Sequence, residues 1–123
     1  MKYLILIYGN PESRAVWESF TDAQKAEGFA YYAGLADDLA ASGELIVTEA
    51  LADASQTKRV IVSEGRTVTT DGPFAEAKEQ LAGFFLLECE SIDRAVEVAA
   101  RMPEAEYGLV EVRPVLELGG TEM

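Results

Sequence analysis

Residues 70–91 read TDGPFAEAKEQLAGFFLLECES, and three signals follow one another along them. Asp71-Gly72-Pro73-Phe74 is a well-made corner, since an Asp before Gly-Pro accepts nearby backbone N–H bonds while Pro73 fixes φ for a turn or a first helical position. Glu76, Lys78 and Glu79 form a short charged run. LAGFFLLECE, residues 81–90, then carries large side chains on both faces of a predicted strand, and Ser91 is placed to cap a helix. One segment thus closes one β element, opens another and starts a helix.

Working outward, TKRVIVSE (57–64) and RTVTT (66–70) are β-rich runs joined across Glu64-Gly65, which predicts a hairpin. Beyond Ser91, Ile92, Ala95, Val96 and Ala99 share one helical face, with Asp93 in the first turn and Pro103 past the end. LIVTEAL (45–51) reads as a strand. The helix before it starts at a Thr21/Gln24 capping box, repeats Ala26, Phe29, Ala30, Ala33, Ala36, Leu39 and Ala40 on one side, and stops at Gly43. Residues 11–20 read as a connector with a helical turn around Ala15 to Glu18.

At the ends of the chain, KYLILIY (2–8) is a continuous apolar run closed by Gly9, Asn10 and Pro11, the pattern of a central strand buried on both faces. Residues 108–118 set Leu109, Glu111, Arg113 and Val115 against Val110, Val112, Pro114 and Leu116. The order is βαββαβ with an inserted hairpin, a ferredoxin-like α+β sheet in a single domain, 1–123, with both helices on one face. The other sheet face is too apolar to sit in water. A second copy packed sheet to sheet would cover it, so a C₂ homodimer is expected.

Composition narrows the functional classes. Ten Lys and Arg against 22 Asp and Glu leave a formal charge of −12. With the cations scattered, nucleic acid and anionic membrane are disfavoured as partners. No segment approaches the roughly 20 apolar residues of a membrane span. The lone Cys89 permits no intrachain disulfide, which points to the reducing cytoplasm. There is no histidine. A nitrogen- or sulfur-ligated metal site is therefore poorly supported, and phosphate loops, G-x-S-x-G elbows and Cys-x-x-Cys pairs are absent, so no metal or cofactor is expected.

TDGPFAEAKEQLAGFFLLE, followed about 30 residues on by YGLVEVRPV, resembles the YCII-related superfamily and its Asp-Gly-Pro-Phe (DGPF) branch; KYLILIYG and YYAGLADDLAASGEL extend the likeness over nearly the whole chain. The resemblance implies a dimeric α/β barrel, in which two ferredoxin-like sheets face each other around a cleft. Members of the wider superfamily are thought to carry a His-Asp pair in that cleft. This chain departs from them in having no histidine. The DGPF branch is often associated with extracytoplasmic-function sigma factors.

The candidate site residues follow from the corner and its surroundings. Asp71 is either a general base at the mouth of a cleft or a turn residue, and turn chemistry favours the second. Gly72, Pro73, Phe74 and Glu76 would line the same mouth, with Lys78 or Arg59 steadying an anionic ligand and Tyr8 at the end of the first strand. Glu79 reads as solvated, Arg113 as half of an ion pair with Glu111, and Cys89 as an inert thiol. Two classes remain: a small-molecule-binding homodimer, which as an enzyme would be a cofactor-free isomerase or lyase working by proton transfer with Asp71 as base, and a non-enzymatic accessory protein.

Overall fold

The computed structural model describes residues 1–74 and 78–118. Strand β1 (Lys2–Gly9) lies inside a four-stranded antiparallel sheet, paired on one side with β5 (Gln80–Glu88) and on the other with β6 (Val110–Pro114). Strand β2 (Leu45–Ala50) flanks β5, giving the order β2-β5-β1-β6. This is the ferredoxin-like α+β arrangement expected from the element order. Strands β3 (Lys58–Ser63) and β4 (Arg66–Asp71) pair only with each other, across a turn in which Glu64 and Gly65 both have positive φ. Two successive positive φ values match the right-handed twist of the flanking strands.

One face of the sheet carries the core. Ile5, Ile7, Phe85 and Leu87 meet Leu35 and Leu39 of α2 (Asp22–Ala41), Val98 and Ala99 of α3 (Ile92–Ala99), and Met102 just beyond. Leu4, Leu6, Phe84 and Leu86 point the other way, in register as Leu4–Leu86 and Leu6–Phe84, and are only half-buried. The expectation that β1 is buried on both faces thus holds for one face of a single chain, because nothing within the chain covers the second.

Three sequence expectations are corrected by packing. The connector at 11–20 is a nine-residue helix, α1 (Pro11–Ser19), capped by Asn10. The Asn10 Oδ1 accepts from the Ser13 N–H at 2.7 Å, and the Ser13 hydroxyl oxygen accepts from the Asn10 N–H at 2.9 Å. Asn10-Pro11-x-Ser13 was the readable signal, a cap with Pro at the first helical position, but α1 buries no residue and so has no apolar period to read. In α3 the buried stripe is Ala95, Val98 and Ala99, whereas Ile92 and Val96 are exposed. At 100° per residue the helix is turned by roughly 60° from the expected face, with two alanines permitting close approach to the sheet. In α2 only Leu35 and Leu39 are buried, and Phe29 is 65% exposed, so the first half of that helix does not join the core.

Gly83 marks the tightest approach in the sheet. A Cβ there would lie 2.9 Å from the backbone oxygen of Glu49 on β2. Gly83→Ala must therefore push β2 away from β5, and denaturant unfolding is expected to show a loss of roughly 2 kcal/mol. An unchanged midpoint would mean that β2 yields freely.

Candidate functional site

The half of α2 that leaves the core helps to enclose a cavity. It is bounded by α1, by Gly28 to Ala36 of α2, by the ends of β1, β5 and β2, and by the turn after α3; its volume is about 780 Å³. Two caps set this geometry. Asn10 fixes the start of α1, and Thr21 starts α2 immediately after it, its Oγ1 accepting from the Gln24 N–H at 3.2 Å while the Gln24 side chain accepts from the Thr21 N–H at 2.8 Å. The corner between the two helices places Trp17 edge-on to Phe29, with ring centroids 5.3 Å apart, and 5.9 Å from Phe20. Gly28 makes room for this indole, since a Cβ there would come within 3.1 Å of it. With Tyr32 and Phe85 these rings form a largely aromatic wall.

Polar groups converge on the same space. The Tyr32 hydroxyl donates to Glu104 Oε1, and burial first, then that carboxylate, pushes the phenol far above its ordinary pKa, so it stays protonated through the physiological range. Arg14 pairs with Asp53 at 2.8 Å. Asp53 is held below the usual carboxylate range chiefly by the Ser55 hydroxyl and N–H and, more weakly, by Arg14. Thr48 of β2, opposite Phe85, completes that side of the wall.

Of the residues expected from sequence, Tyr8 borders this cavity. Its pKa is raised by burial, then by the hydrogen-bonding and charge of Glu111, with Arg113 pulling the other way. Among the described residues Arg113 forms no ion pair with Glu111, contrary to expectation. Lys78 lines a smaller adjoining cavity of about 210 Å³ with Asn10, Pro11, Arg14 and Gln80.

The Asp-Gly-Pro-Phe corner lies elsewhere, at the base of the β3–β4 hairpin. The Asp71 carboxylate is 83% exposed and is paired with the Lys58 ammonium, directly across the hairpin. Among the described residues no backbone N–H donates to the Asp71 carboxylate; the corner is held by the Gly72 N–H donating to the Thr57 carbonyl at 2.7 Å, with Gly72 at φ 86°. Arg59 and Phe74 are brought together, the guanidinium 4.8 Å from the ring centroid. Pro73 is half-buried, and Glu76 lies outside the described residues. The corner is therefore a set of mutually paired side chains, and the ligand-sized space is lined by others.

Arg14, Trp17 and Glu104 escaped the sequence reading, in which the Tyr32 hydroxyl wants a partner when buried but has none named. Trp17 and Arg14 lie on the helix mistaken for a connector, and nothing in one dimension links Tyr32 to a carboxylate 72 residues away. Cys89 is buried, as expected of an inert thiol. Among the described residues no group of three or more His, Cys, Asp or Glu side chains is placed to hold a metal ion, and no helix is long and apolar enough to cross a membrane.

Comparison with known proteins agrees with the fold. An uncharacterised protein of Rhizobium meliloti (strain 1021) is 31% identical over 117 residues, covering 94% of this chain and 92% of the relative. The sequence profile of the YCII-related domain matches residues 1–119, and with the ferredoxin-like sheet this establishes that the chain belongs to the YCII-related family.

Proposed function

We propose that this YCII-related protein, of the branch marked by Asp-Gly-Pro-Phe, is a cytoplasmic homodimer that binds a small organic molecule in the aromatic cavity between α1, α2 and the sheet. The observation that carries this reading is the cavity itself: about 780 Å³, within the range of ligand pockets, walled mainly by apolar side chains with a few converging polar groups. Dimerisation is supported by the half-buried row Leu4, Leu6, Phe84 and Leu86 and by the hairpin, whose Val60, Val62 and Val68 are exposed although a lone two-stranded hairpin is marginal in water.

Binding carries further than turnover. Proton transfer by Asp71 would need a carboxylate facing a bound molecule in a water-poor site, whereas the Asp71 side chain is 83% exposed and spent on Lys58. The accessory-protein reading draws on the same exposed hairpin, whose residues 57–71 carry three cations against two carboxylates in a chain of net charge −12.

A thermal-stability screen against a metabolite library tests the binding reading, since a ligand of the folded state raises the melting temperature. Hits are expected to be lost in Ala33→Trp, which fills the cavity, and kept within about twofold in Asp71→Asn, because the latter residue lies away from it. A hit abolished by Asp71→Asn and indifferent to Ala33→Trp would return the site to the corner.

A further inference from the structure

Negative charge predominates around the cavity. Among the described residues four acidic residues border it, Glu18, Asp53, Glu104 and Glu106, against one cation, Arg14, with Lys78 in the smaller cavity beside it; Glu49, opposite Phe84 in register, turns its carboxylate to the other sheet face. The Arg14 charge is matched by Asp53 at 2.8 Å. Among the described residues neither Glu18 nor Glu106 is in an ion pair, and Glu104 is engaged only by the neutral Tyr32 hydroxyl. An anionic ligand would meet this rim unfavourably, and the net charge of −12 adds to its repulsion.

The walls fit the same sign. Trp17 lies within 6 Å of both Phe20 and Phe29, so several ring faces and edges line one apolar space, and electron-rich faces attract a weakly hydrated cation. Together these features select a molecule with an apolar body and a positively charged head. Resting on the cavity being a ligand site, we propose that its ligand class is an organic cation, an alkyl- or aryl-substituted amine or quaternary ammonium, with the apolar part against Trp17 and Phe29 and the charge toward Glu18 and Glu106.

The chain has a single tryptophan, and it stands in this wall, so its fluorescence reports occupancy directly. The full-length protein is titrated with benzyltrimethylammonium, with neopentylbenzene as its uncharged isostere, and with phenylacetate as an anion of similar size. The cation is expected to bind at least tenfold more tightly than either, to weaken as salt is raised, and to lose at least fivefold in a Glu18→Gln, Glu106→Gln double variant that leaves the uncharged probe unaffected. Both positions are exposed, so the double variant should fold. Equal binding of cation and isostere, or tighter binding of phenylacetate, overturns the charge assignment while leaving the cavity as a ligand site. Failure of all three probes to perturb Trp17 at millimolar concentration overturns both.

Discussion

Leu86→Arg is expected to convert a dimer into a folded monomer. Leu86 sits on the uncovered sheet face, opposite Leu4 on β1 and beside Val47 on β2, and it is half-buried in the isolated chain. An arginine there can keep its guanidinium in water as long as no second sheet arrives, so the fold tolerates it. In a C₂ pair the substitution appears twice, and each copy buries an unmatched charge against leucine and phenylalanine. At roughly 2 kcal/mol per copy, the dissociation constant rises about a thousandfold. Sedimentation velocity at micromolar concentration is the measurement: a dimer for the parent chain and a monomer with unchanged circular dichroism for the variant. A parent chain that sediments as a monomer would remove the barrel reading, and the open face would need another occupant.

The sheet was legible and the cavity was not, for reasons that lie in particular residues. KYLILIY and GFFLLE announce strands because their bulky side chains alternate between two apolar environments, and that signal survives in one dimension. Thr21/Gln24 and Ser91 announce helices because capping is chemistry among residues three apart, and both caps form as read. Which side of a helix is buried depends on its roll against the sheet, and α3 rolled onto Ala95 and Val98 with no local sign that Ile92 and Val96 would be left outside.

The site is harder still, because it is assembled from residues far apart along the chain and from an absence of packing. Trp17 on an unburied helix, Tyr32 on α2 and Glu104 beyond α3 become neighbours only once the first half of α2 stands away from the sheet. The corner at Asp71 drew attention as a motif, and as local chemistry it is an ordered turn. Its side chains are paired with one another, Lys58 with Asp71 and Arg59 with Phe74.

The second large effect expected is on stability, at Glu44. Its carboxylate is gripped by Arg94 through two bonds, Nε to Oε2 and Nη2 to Oε1, each 2.9 Å, and also accepts from the Ser42 hydroxyl at 2.7 Å. The grip joins the turn after α2 to the first turn of α3, so it ties both helices at one end of the sheet. The Glu44 side chain is only 16% exposed and that of Arg94 31%, which leaves the pair partly shielded from water. The Arg94 hydrogen bonds, then that of Ser42, hold the Glu44 pKa down at about 2. A depressed carboxylate stabilises the fold above its unfolded pKa, near 4.5, and that contribution is lost as pH falls from there to about 2. Allowing for residual solvent screening, the pair contributes about 2 kcal/mol at neutral pH. Glu44→Gln is therefore expected to be about 2 kcal/mol less stable than the parent at pH 7, with the difference shrinking steadily between pH 4.5 and 2. Taking the difference between the two proteins cancels the relief of self-repulsion that the whole acidic chain gains as its other carboxylates are protonated. A gap between parent and variant that stayed constant from pH 7 to pH 2 would show that Glu44 acts through packing and not through its charge.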